Sequence, residues 1–77
     1  MKKKYYVLVE ETNQEQQTVY GIAIFEKKSK NNAIELSRVS NITCDKSALE
    51  ALVCCCNSLN LSPIHLDEVI EDFLLNQ

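Results

Sequence analysis

The sequence predicts a small α+β domain: a three-stranded antiparallel β-meander followed by two α-helices packed on one face, in the order β-β-β-α-α. Three observations predict it. Residues 4 to 43 hold β-branched and aromatic residues in alternating runs, separated by short polar connectors. Beyond residue 43 the apolar period changes from about 2 to about 3.6. The chain of 77 residues shows no internal repeat and no interdomain linker, so residues 1–77 read as a single domain. A domain this small buries only about 60% of its unfolded surface.

"KYYVLVEE", residues 4 to 11, is the first strand, and the polar "TNQEQQ" connects it to the second, "TVYGIAIFEK", residues 18 to 27. One face of that strand carries Tyr20, Ile22 and Ile24; the other carries Val19, Gly21, Ala23 and Phe25. "KKSKNN" is rich in turn formers. Residues 33 to 43, "AIELSRVSNIT", form the third strand, with Ile34, Leu36 and later Ile42 on one side and a break expected around Ser40–Asn41. Short connectors make the strands antiparallel, because parallel neighbours need a crossover of a dozen or more residues. Gly21 inside a strand points to a bulge or a close backbone approach.

Ala48, Leu49, Leu52, Val53, Cys56 and Leu59 recur at helical spacing. Either Asp45 caps this helix, or Ser47 and Glu50 form a capping box. "NSLNLS" ends it. Ser62 as N-cap with Pro63 at the first helical position starts the second helix. Its apolar stripe is Leu66, Val69, Ile70, Phe73 and Leu74. The two stripes need one sheet face. Neither sheet face is cleanly polar, since Val7, Val9, Val19, Ala23 and Phe25 fit on one side. An uncovered sheet face of this kind is expected to self-associate or to bind another protein.

Apolar residues make up 45% of the chain and charged residues 25%, ordinary globular values that argue against disorder. The net charge of −3 gives no bulk attraction to nucleic acid. The charge is uneven: Lys2, Lys3, Lys4, Lys27, Lys28 and Lys30 lie early, and Asp67, Glu68, Glu71 and Asp72 lie late. The apolar run after the basic start, Tyr5 to Val9, is shorter than the roughly 7–15 residues of a signal peptide. It is also shorter than the roughly 20 of a membrane span. A cytoplasmic protein with reduced thiols is expected.

"VCCCNSL" raises the question of metal or redox chemistry. Adjacent cysteines on a helix lie about 100° apart, so Cys54, Cys55 and Cys56 point in three directions. Structural zinc sites use spaced pairs instead. Cys56 is expected in the core, Cys55 at its flank and Cys54 outward; Cys44 lies at the end of the third strand. His65 has Glu68 at the i+3 spacing and reads as a boundary histidine. Asp67, Glu68, Glu71 and Asp72 read as a solvated helix face that also suits the positive helix N-terminus, or as an acidic docking surface. One glycine cannot build a phosphate loop, and the lysines with Tyr5 and Tyr6 lack a nucleic-acid motif.

At "YGIAIFE" and "LSPIHLDEVIEDFL" the chain resembles small uncharacterised domains of Firmicute bacteria, of the clostridial type. Those have a similar length, a Tyr-Gly-hydrophobic strand and a Ser-Pro-x-His-Leu…Asp-Phe helix near the C-terminus. The resemblance covers most of the chain and implies a bacterial cytosolic setting, with no mechanism and no catalytic residues. The expectation is therefore a non-enzymatic interaction or regulatory module, with no cofactor and no metal. Its partner surface would include Val7, Val9, Val19, Phe25, Asp67 and Glu71, and it would bind a protein or a second copy. Nucleic-acid or regulatory-ligand binding through the lysine-rich sheet end is the alternative.

Overall fold

The structure, a computed structural model, describes residues 3–76. Three strands, β1 (Lys3–Thr12), β2 (Thr18–Ser29) and β3 (Asn32–Thr43), form an antiparallel sheet in the order β1-β2-β3. Helix α1 (Lys46–Ser58), a 3₁₀ turn (Pro63–His65) and helix α2 (Leu66–Leu75) follow. The expected order holds, and each strand runs one or two residues beyond its expected span.

Asn13 shapes the β1–β2 hairpin. Its Oδ1 accepts the backbone N–H groups of Glu15 and Gln17 at 2.9 Å each, and Gln16 takes the left-handed conformation at φ 61°. Asn is suited to such self-bonded turns.

The register Tyr6↔Ile24 and Leu8↔Ile22 puts Tyr6, Leu8, Ile22 and Ile24 on one face. That face takes the helices: Tyr6, Ile22 and Ile24 pack with Leu49, Val53 and Cys56 of α1 and Leu66 and Ile70 of α2. Ile22 and Leu49 are fully buried, each worth roughly 1.5–3 kcal/mol of apolar transfer.

β3 runs on as one strand through Ser40–Asn41, but its pairing lapses there as expected: between Ile22↔Val39 and Tyr20↔Thr43 it carries two residues more than β2. Asn41 takes φ 56° within that bulge. Gly21 lies opposite, and a Cβ there would collide with the Val39 carbonyl oxygen and meet Ser40 Cα at 3.0 Å. The lone glycine is thus where the bulged backbone crosses β2. A second register shift, from Ile24↔Ser37 to Phe25↔Glu35, leaves Leu36 unpaired. It breaks the alternation expected for Ile34, Leu36 and Ile42: Ile42 packs on the core while Ile34 and Leu36 are exposed.

Asp45, rather than the Ser47–Glu50 box, caps α1: its Oδ1 accepts the Ala48 N–H at 3.1 Å. The helix ends in a Schellman motif. Leu61 N–H bonds Cys56 C=O at 3.0 Å, Asn60 N–H bonds Asn57 C=O at 3.2 Å, and Asn60 is left-handed at φ 54°. This stop corrects the expected stripe, since Leu59 falls on the cap and is exposed. Leu61 turns back onto the core instead. Ser62 makes no side-chain capping bond, and the chain enters α2 through the 3₁₀ turn; Leu74 is exposed at the far end of the stripe.

Candidate functional site

Four surfaces bring polar or apolar groups together: the open sheet face, the lysine end of the sheet, the cleft between the helices, and the thiols of α1. On the open face, Tyr5 pairs with Phe25, Val7 with Ala23, Val9 with Gly21 and Glu11 with Val19. Among the described residues, no helix packs on this side, because α1 and α2 send their apolar stripes to the opposite face. The Tyr5 and Phe25 rings stack at 5.8 Å with 15° between their planes. Val7, Val9 and Phe25 are half-buried. Val19 is a correction to the expected surface: at 4% exposure it offers a partner almost nothing.

Two charged groups border the face on the β3 side. Arg38 lies opposite Ala23 and Glu35 opposite Phe25. Arg38 donates to Glu35 Oε1 from Nη2 at 2.7 Å and from Nε at 3.0 Å. This bonding, more than charge proximity, raises the guanidinium pKa above its ordinary value. Glu11 Oε1 is buried and accepts no hydrogen bond among the described residues. An acceptor left so typically costs about 1–3 kcal/mol.

The lysine end could not be assembled from the sequence alone. The register sets Lys3 against Lys27 and Lys4 against Glu26, and Lys28 and Lys30 follow in the β2–β3 hairpin. Lys3, Lys4, Lys27, Lys28 and Lys30 together line one shallow cavity of about 740 Å³ that Asn57 and Asn60 of α1's end also border. Glu26 is buried there, with Lys28 Nζ at 3.0 Å from its Oε1. Lys2, part of the expected basic run, lies outside the described residues.

Between the helices, Leu52, Val69 and Phe73 floor a cleft of about 490 Å³ rimmed by Glu68 and Asp72. Asp67 and Glu71, expected as an acidic docking surface, are both exposed on α2 and do not line this cleft. His65 is exposed in the 3₁₀ turn with its Nδ1 4.0 Å from Glu68 Oε2.

Cys56 is buried, as the helical stripe requires, while Cys44 and Cys54 are exposed. Cys55, expected at the flank of the core, is exposed too. Burial, and secondarily the neighbouring Cys55, pushes the Cys56 thiol pKa up, which works against reactivity. Among the described residues, no three His, Cys, Asp or Glu side chains gather in a way that could hold a metal ion. No described helix is long and apolar enough to cross a membrane.

Three hydrogen bonds tie Tyr6 of β1 to the end of α1 and the turn after it. Tyr6 N–H donates to Asn57 Oδ1 at 2.8 Å, and Asn57 Nδ2 donates to Tyr6 C=O at 3.0 Å. Tyr6 Oη donates to Leu61 C=O at 2.7 Å. Burial, then the nearby Cys56, raises the Tyr6 pKa. Asn57 thus does for one residue of β1 what a neighbouring strand would do. A polar amide one residue beyond the inward Cys56 was the available signal.

A family model described as a family of unknown function (DUF6514) matches residues 1–76. No curated protein and no solved structure matches the chain.

Proposed function

The chain belongs to the DUF6514 family of unknown function, and we propose that it is a non-enzymatic binding domain that receives a protein partner on its open sheet face. The observation that supports this reading is the face itself. It combines a stacked aromatic pair, two half-buried valines and a buried, unbonded carboxylate oxygen. A partner that covers Val7, Val9 and Phe25 would remove the apolar exposure, and a Glu11 side chain turned outward to meet a donor on that partner would lose its unmet acceptor. The setting this reading assumes is the bacterial cytosol, where the exposed thiols stay reduced. The test is a comparison of partners captured by the wild type and by Val7→Lys/Val9→Lys, each shown to be folded by circular dichroism. Partners should be lost with the lysines; an unchanged set would refute the reading.

The lysine end favours a second reading, binding of a nucleic-acid strand. Five lysines around one cavity form a local basic patch on a chain of net charge −3. Phosphate-driven affinity must fall steeply with salt. Fluorescence anisotropy with a labelled single-stranded oligonucleotide should then show binding at low salt that Lys27→Glu abolishes. No binding at low salt would remove this reading and leave the first one intact.

A further inference from the structure

The two outer edges of the sheet are not equivalent. On β1, Asn57 occupies the outward N–H and C=O of Tyr6. On β3, residues 32–38 are all exposed. The Tyr6 clamp also sets the direction of the backbone groups across the sheet. Opposed residues in an antiparallel ladder alternate between bonded and non-bonded pairs. Tyr6 turns away from β2, so Ile24 opposite it turns toward β3. Phe25 and Ala23, on either side of Ile24, turn toward β1. Glu35 and Arg38, opposite Phe25 and Ala23, therefore point their N–H and C=O groups outward. In a regular strand, outward residues are an even number apart. The Leu36 bulge puts Glu35 and Arg38, three apart, in the same outward row and on the same face.

We propose that β3 pairs antiparallel with β3 of a second copy, about a twofold axis between Leu36 and Ser37. In this register Glu35 lies opposite Arg38 of the second copy, and Arg38 opposite its Glu35. Each such pair joins outward backbone groups and sets opposite charges face to face. Ile34, 42% exposed, meets Val39 on the helix-bearing side, and Leu36, 43% exposed, sits at the axis beside Ser37. Registers that would centre on Glu35 or on Arg38 set like charges opposite each other, which is unfavourable. The charge pattern is thus self-complementary in one alignment, as an isologous interface demands. The inference uses the β3 edge and not the open face, so either can fail without the other.

The test is sedimentation equilibrium of the full chain across a concentration series. The wild type should approach twice the 8.8 kDa chain mass. Arg38→Glu should weaken association at least ~10-fold, because both symmetric charge pairs become repulsive. The double variant Glu35→Arg/Arg38→Glu should restore it. Glu50→Gln, exposed on α1 and away from β3, should leave it unchanged. If Arg38→Glu fails to fold, Glu35→Pro replaces it: proline removes one outward N–H at an edge, where it is tolerated, and should also dissociate the pair. A wild type that stays monomeric up to ~1 mM, where a contact of only −4 kcal/mol would already register, overturns the proposal. So does a folded double variant that fails to recover.

Discussion

Replacing Asn57 by alanine removes two hydrogen bonds in one step, at 2.8 and 3.0 Å, both to the backbone of Tyr6. A net hydrogen bond contributes about 0.5–1.5 kcal/mol, so the pair is worth roughly 1–3 kcal/mol. Two effects pull the loss toward the lower end. Both bonds are only partly buried, so water can reach the vacated Tyr6 groups. Alanine is also the better helix former, by about 0.5 kcal/mol. The expected loss is about 1 kcal/mol, which in a domain of this size lowers Tm by roughly 4–8 °C. Asn57→Asp is the discriminating control. It keeps the acceptor for Tyr6 N–H but turns a second oxygen onto the Tyr6 carbonyl, so it should be at least as unstable as alanine at neutral pH. Urea unfolding followed by far-ultraviolet circular dichroism reads both, with the midpoint shifted and the slope unchanged. An aspartate variant as stable as the wild type would refute the two-bond clamp. So would an alanine variant within a few tenths of a kcal/mol of wild type.

Two further outcomes are expected. Gly21→Ala should cost about 1–3 kcal/mol or more, as overpacking does, because the obstacle is the backbone carbonyl of Val39 and not a side chain that can turn; an unshifted thermal melt would mean that the β3 bulge moves aside freely. Native alkylation should label Cys44, Cys54 and Cys55 and spare Cys56 until urea is added, since burial both shields that thiol and raises its pKa; peptide mass spectrometry showing Cys56 modified as fast as Cys54 would place it outside the core.

The parts of the fold that were legible rest on local rules. The change of period separates strands from helices, Asp45 caps the first turn, and Gly21 announces a close approach that the β3 backbone makes. The parts that were not legible depend on pairing. Strict alternation put Leu36 on the same side as Ile42, and the unpaired position of Leu36 defeats that count. Leu59 continues the helical spacing in sequence, yet Asn60 in a left-handed conformation ends the helix there and substitutes Leu61 in the core. The lysine end exists because Lys3 pairs with Lys27 across a hairpin whose register no composition reveals. The same limit applies to the candidate surface. Membership of Val7, Val9 and Phe25 in one face follows from alternation, but the near-complete burial of Val19 on that face does not.

The asymmetry of the two sheet edges also sets a valency. A sheet with two free edges can recruit copies without end, because every addition exposes a fresh template. Here the amide of Asn57 occupies the Tyr6 position on β1, so a chain joined through β3 presents an obstructed strand on its far side. If the β3 edges pair as proposed, further addition through β1 would first have to displace this amide from Tyr6. One polar side chain on a helix would then bias the chain toward a finite pair over an open-ended fibril.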